Sequence, residues 1–224
     1  KYALLALAEQ LELPAIQIRL ASQLFYRRNH DSLNPALYPT PGWEPHTGYA
    51  VDPALLFTVA RQESGFDSSA RSYAGAEGVM QIMPRTANYI VKRIDPALQQ
   101  LTSAQKASPS LTGLTLGQSY LRYLLDRPYV GNNLVYLTIA YNAGAANLLK
   151  WKKSLPQNDP LLFIESIPYK ETRNYVLNVL ANYWIYQERM GHSPKHAYQL
   201  ASGQWPIYDG SEQQLAQAIS ALSD

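Results

Sequence analysis

DPALLFTVARQESGFDSSARSYAGAEGVMQIMPRTA, residues 52–87, is the stretch from which fold and chemistry are both read. Asp52 suits a helix N-cap, Pro53 the first turn and Gly65 a stop, so the spacing predicts a helix from 53 to about 64. Leu56, Val59, Ala60 and Glu63 then fall at i, i+3, i+4 and i+7, which is one face. The stripe that should point inward therefore ends on a carboxylate. Desolvation and the negative end of the helix dipole both disfavour its charged form, which makes Glu63 a candidate general acid, protonated near neutral pH. The alternative is a partly exposed Glu63 at a frayed helix end, paired with Arg61 or Arg71.

Downstream, 67–78 is rich in Ser, Ala and Gly, which implies turns and close backbone approach. Pro84 suits the first residue of a helix over 84–93. Two more acids lie in the stretch. Asp67 is expected to close its turn through backbone N–H groups, and Glu77, flanked by glycine, is expected to face water.

Working outward, 1–27 reads as two short helices, the first apolar nearly all round and so suited to packing between neighbours. From 29 to 48 the prolines and glycines make an extended connector with Trp43 as its anchor. Helical spacing returns over 114–127 with Gly117 inside it, and over 133–143, which is apolar enough to be central. A break at Asn142 and Gly144 precedes a short helix to 153, and a brief segment covers 161–166. The longest helix is expected over 170–190, with Tyr175, Val179 and Asn182 near one line. A weak amphipathic helix over 215–222 reads as a packing arm. Strand signals are nearly absent, so the fold class is mainly α.

A chain of 224 residues can bury a full core, and its net charge of +2 makes no electrostatic case for nucleic acid. With 0 cysteines, disulfides, metal thiolates and cysteine nucleophiles are excluded together. No apolar run reaches the length of a membrane span, and the N-terminus lacks a signal-peptide pattern. His30, His46, His192 and His196 are scattered without metal-ligand spacing, so neither a metal nor another cofactor is expected. The 17 Tyr and 4 Trp suit a protein that stacks sugars, although cores also use them.

The segment ARQESGFDSSARSYAGAEGVMQIMPRTA resembles the signature of the lytic transglycosylases of the lysozyme-like superfamily. Its parts are a Glu-Ser at a helix end, a Gly-Ala-x-Gly turn, and Met-Gln-Ile-Met-Pro opening the next helix. AYNAG, with Tyr141, Asn142 and Gly144, and IPYKETRNYV over 167–176 are similar to that family's downstream blocks, in the same order. The resemblance spans about 49–189 and is to the long soluble lytic murein transglycosylases. Val79 stands where Leu is more usual and Ser68 where Pro often follows the Asp; neither touches chemistry.

The resemblance implies a lysozyme-like helical catalytic domain over 47–191. Residues 1–46 are then the end of a helical array plus a connector, and 192–224 a packing extension. It implies peptidoglycan glycan strands as substrate, cut between MurNAc and GlcNAc without water, and export to the periplasm. Nothing names a protein partner among cell-wall synthases or secretion systems. Ordinary glycosidases use two carboxyl groups; here one acid has no convincing second. That fits a single Glu63 acting as acid and then base. Carried over by motif, Ser72, Gln81, Met83, Tyr141 and Asn142 line the groove, and Glu171 faces the sugar from the opposite wall. Each has a structural alternative: Gln81 bonding backbone, Met83 filling core, Tyr141 packing, Glu171 answering a helix dipole. The competing functions are a hydrolytic muramidase of goose-type lysozyme character and a non-catalytic glycan-binding module.

Overall fold

The computed structural model of the chain describes residues 1–25 and 35–210. The helix expected over 215–222 and His30 lie outside them. Among the described residues the regular backbone is helical, as the pattern predicts. Extended pairing is confined to the isolated bridges Arg71 to Glu77, Glu77 to Ile82 and Asn133 to Ile207. Two compact units form, Lys1–Gly48 with Val59–Gly117, and Tyr49–Thr58 with Gln118–Asp224.

In the first unit α1 (Tyr2–Gln10) packs on α2 (Pro14–Phe25). Leu5 and Ala8 of α1 are buried while Tyr2, Leu4, Leu7 and Leu11 remain exposed, because an all-round apolar helix carries more surface than one partner covers. The proline-rich connector is anchored as expected: the Trp43 ring meets Phe66 edge-on, centroids 6.0 Å apart. The last turns of α3 (Pro53–Ser64) follow, then α4 (Pro84–Tyr89), α5 (Ser103–Lys106) and the start of α6 (Pro109–Leu125). The helix expected over 84–93 does begin at Pro84, but it widens into a π turn at Ile90–Ile94, closed by the Asp95 N–H on the Ile90 carbonyl at 2.8 Å. The α5 start was readable but unread: Thr102 and Gln105 form a capping box. Val59, Phe66, Val79, Met80 and Leu114 make the core here, each at most 2 % exposed.

The second unit holds the start of α3 and the end of α6. Then come α7 (Leu134–Asn142), α8 (Ala145–Ser154), α9 (Pro160–Glu165), α10 (Lys170–Arg189) and α11 (Lys195–Ala201). Every residue of α7 from Leu134 to Ala140 is buried, and α7 packs on both α8 and α10, the central place its composition predicts. Asn133 caps it, its Oδ1 accepting from the N–H groups of Val135 and Tyr136. In α10, Tyr175, Val179 and Asn182 form the buried line expected of them. Helix α11 was not foreseen, since only His196 and Leu200 of its seven residues are buried and so short a run shows no period.

Asp52 fixes the start of α3. It is fully buried; its Oδ1 accepts from the Ala54 N–H at 2.8 Å and its Oδ2 from the Tyr183 hydroxyl at 2.7 Å, while its own N–H donates to the Tyr208 hydroxyl. The cap read from sequence is thus also the point where α3, α10 and the chain near residue 208 are tied together.

Candidate functional site

The α3 stripe runs as the spacing predicts: Leu56, Val59 and Ala60 are buried, and Glu63, one residue before the helix ends, is partly buried. Gly65 (φ 60) stops the helix, and Phe66 (φ 67) follows in the same left-handed region. The Gly65 N–H bonds the Arg61 carbonyl at 3.0 Å and the Phe66 N–H reaches back to Ala60 at 3.3 Å. A non-glycine residue there costs about 1–2 kcal/mol, which the burial of the Phe66 ring against Trp43 offsets. Sequence could not signal this second turn residue, because its partner is 23 positions upstream. Ser64 then joins the helix end to the loop, its hydroxyl donating to the Val79 carbonyl at 2.9 Å.

The other two acids of the stretch behave as expected. Asp67 Oδ1 accepts from the Ser69 hydroxyl at 2.6 Å and the Ser69 N–H at 2.8 Å, and these bonds, the hydroxyl first, hold its pKa below the ordinary 3.8. Glu77 faces solvent and pairs with Arg71 at 2.9 Å. Arg71 therefore sits with Glu77, and Arg61 sends its Nε–H to the Leu37 carbonyl at 3.0 Å with its guanidinium over the Tyr38 ring.

Three of the carried-over residues lie in the loop that follows. Ser72 closes a tight turn, its Oγ accepting from the Ala76 N–H and its own N–H donating to the Ala76 carbonyl, both at 2.9 Å. Gln81 (φ 45) donates its amide to the carbonyls of Ala70 and Gly78, at 3.1 and 2.9 Å, so the bland alternative for its Nε2 is realised and its Oε1 is the remaining acceptor. Met83 is exposed at the N-cap of α4. It is not core filler: that part falls to Met80, fully buried against Gly117. The sequence reading passed over Tyr73, whose ring stands fully in solvent at the tip of the Ser72 turn, because residue type alone carries no mark of exposure.

Tyr141, Asn142 and Glu171 belong to the second unit. The Tyr141 ring packs on Tyr120 at 5.5 Å, both partly buried. Asn142 Oδ1 accepts from the Thr172 hydroxyl at 2.8 Å, which brings the AYNAG and IPYKETRNYV blocks into contact. Thr172 is buried while Glu171, beside it in the first turn of α10, is exposed. Thr172 was not singled out, though its hydroxyl makes a hydrogen bond between the two blocks.

No described helix is long and apolar enough to cross a membrane. A family model described as the transglycosylase SLT domain matches residues 44–163, and one described as the soluble lytic transglycosylase helical domain matches 166–195. The soluble lytic murein transglycosylase of Escherichia coli K12 is 37 % identical over 149 residues, 66 % of this chain and 22 % of that protein. The chain thus spans about a fifth of the length of that relative. In structure it is similar to the 70 kDa soluble lytic transglycosylase of E. coli, with TM-score 0.72, 30 % identity, and coverage of 91 % of this chain and 32 % of that one. It is also similar to the lytic transglycosylase Slt of Pseudomonas aeruginosa, solved as an inactive Glu-to-Gln mutant, with TM-score 0.64, 28 % identity, and coverage of 93 % and 31 %.

Proposed function

Because the chain belongs to the transglycosylase SLT domain family, we propose that it cleaves the β-1,4 bond between MurNAc and GlcNAc in peptidoglycan without water, with Glu63 as its one acid and base. Protonated Glu63 gives its proton to the departing GlcNAc oxygen as the C1–O bond of MurNAc breaks. The resulting carboxylate removes the proton from the MurNAc C6 hydroxyl as that oxygen bonds C1. The glutamic acid is restored and a 1,6-anhydro ring closes. The N-acetyl group of MurNAc steadies the positive charge between the two steps.

The observation that carries this reading is the disposition of the three acids around the motif. Asp67 is bound to Ser69 and Glu77 to Arg71 at the surface, while Glu63 alone of the three continues the buried stripe of α3. A hydrolytic muramidase would use a second carboxylate to hold water; the engagement of Asp67 with Ser69 and of Glu77 with Arg71 supports the reading without one. Ser72, Gln81, Met83, Tyr141, Asn142 and Glu171 are read as contacts to the strand. Residues 47–191 are read as the catalytic domain, 1–46 as the end of a helical array with its connector, and 192–224 as a packing extension; the exposed apolar side of α1 suits further helices. The setting is the periplasm. Incubating the protein with purified peptidoglycan and weighing the released muropeptides tests the reaction. Anhydro ends support it, reducing ends indicate hydrolysis, and an undigested polymer indicates a binding module.

A further inference from the structure

Arg127, in the second unit, is held by contacts that leave its outer edge open, and the cleavage chemistry does not use it. Tyr120 and Tyr123 lie one turn apart on α6 with rings nearly parallel, 12° and 6.2 Å between centroids, and Tyr120 also touches Tyr141. Burial raises the Tyr120 pKa, as does the neighbouring Tyr129, so its hydroxyl stays neutral. Arg127 stands at the end of this row of rings. Its Nε–H donates to the Tyr123 carbonyl at 3.2 Å, and its guanidinium carbon lies 4.3 Å above the Tyr123 ring.

These two contacts fix the guanidinium from one edge and one face. Its Nη1 and Nη2 have no partner among the described residues, and Arg127 is only partly buried. The adjacent acid, Asp126, faces Arg122 instead, at 3.3 Å. An arginine oriented by backbone and ring, with its outer fork unpaired, has already lost most of the freedom that binding a carboxylate would cost it. A planar fork takes an oxyanion in two parallel hydrogen bonds, and an aromatic approach suits a sugar face.

We propose that Arg127 binds a carboxylate carried by the glycan strand, at the end of an aromatic row that starts from Tyr141. The proposal rests on the glycan reading above. Two carboxylates of the same chemistry are available on such a strand: the lactyl group of MurNAc where the peptide is missing, and the acidic groups of the peptide stem where it is present. A neutral chito-oligosaccharide offers the sugar faces and neither acid.

The test is calorimetric binding on a Glu63→Gln background, which keeps the strand uncut. Its three probes are a stem-bearing MurNAc-GlcNAc tetrasaccharide, the same strand without stems, and chitotetraose. Adding Arg127→Gln should weaken one or both carboxylate probes by about tenfold and flatten their salt dependence, leaving chitotetraose unchanged. The probe that responds identifies the carboxylate. Arg127→Lys, which keeps charge and loses the fork, should fall between and serves equally if the glutamine variant does not fold. Equal weakening of all three probes, or of none, overturns the proposal. A wild-type protein that leaves peptidoglycan uncut contradicts the function above, whereas a cutting enzyme indifferent to Arg127 contradicts only this inference.

Discussion

Replacing Gly117 by alanine sets two effects of known size against each other. Gly117 lies inside α6, where alanine is favoured over glycine by about 1 kcal/mol. A Cβ at this position, however, would meet Met80 at three atoms: Cε, Cγ at 2.5 Å and Cβ at 2.9 Å. Rotation of the thioether can withdraw the first two. It cannot move the Met80 Cβ, so the backbone of residues 79–81 has to shift in a core where Val79 and Met80 are fully buried. Overpacking of this kind costs about 1–3 kcal/mol, and a clash that reaches the backbone belongs in the upper half of that range. The clash should win by about 1–2 kcal/mol, and thermal unfolding should fall by roughly 3–6 °C. Activity should drop further than stability, because the Val79 carbonyl holds Ser64, the neighbour of Glu63. A thermal scan with a turbidity assay on peptidoglycan measures both. A variant as stable as the parent refutes the packing argument. A destabilised variant with full activity per folded molecule refutes the link from Met80 to the helix end.

Asp52→Ala removes the acceptor of the Ala54 N–H and of the buried Tyr183 hydroxyl; a lost cap plus a buried hydroxyl predicts a loss of about 2–4 kcal/mol in denaturant unfolding, and a value under half a kcal/mol would show α3 to be held by other means. Glu171→Ala should cut turnover strongly without altering stability, since the side chain is exposed; an unchanged rate returns it to a helix-dipole role. For Asp67, hydrogen bonds to the carboxylate lower the folded pKa, so their stabilisation is complete above the unfolded value of about 3.8 and is lost as pH falls through the folded value. Ser69→Ala should therefore raise the Asp67 titration toward 3.8 by NMR, and an unmoved titration contradicts the assignment of the shift to Ser69.

How far the sequence could be read depended on whether the controlling interaction was local. The start of α3 was legible because Asp52 caps its own helix two residues on, and the central place of α7 because composition alone demands burial. Asp67 closing its turn and Glu77 facing water were legible from adjacent turn residues, whereas the pairing of Arg71 with Glu77 was not. What escaped was set by distant contacts. Phe66 turns left-handed against Trp43, Thr172 meets Asn142 across 30 positions, and the open fork of Arg127 depends on which acids are elsewhere engaged. Gln81 shows the intermediate case. Its position was readable, but the direction of its amide into the loop's own carbonyls was not.

The central claim, that one carboxyl group gives a proton and takes one back with no water consumed, is tested most directly by mass analysis of the products of the parent and of Glu63→Gln. The account predicts muropeptides one water lighter than hydrolysis would give from the parent, and none from a Glu63→Gln protein that unfolds at the same temperature. Hydrated reducing ends from the parent, or continued turnover by the glutamine variant, would contradict it.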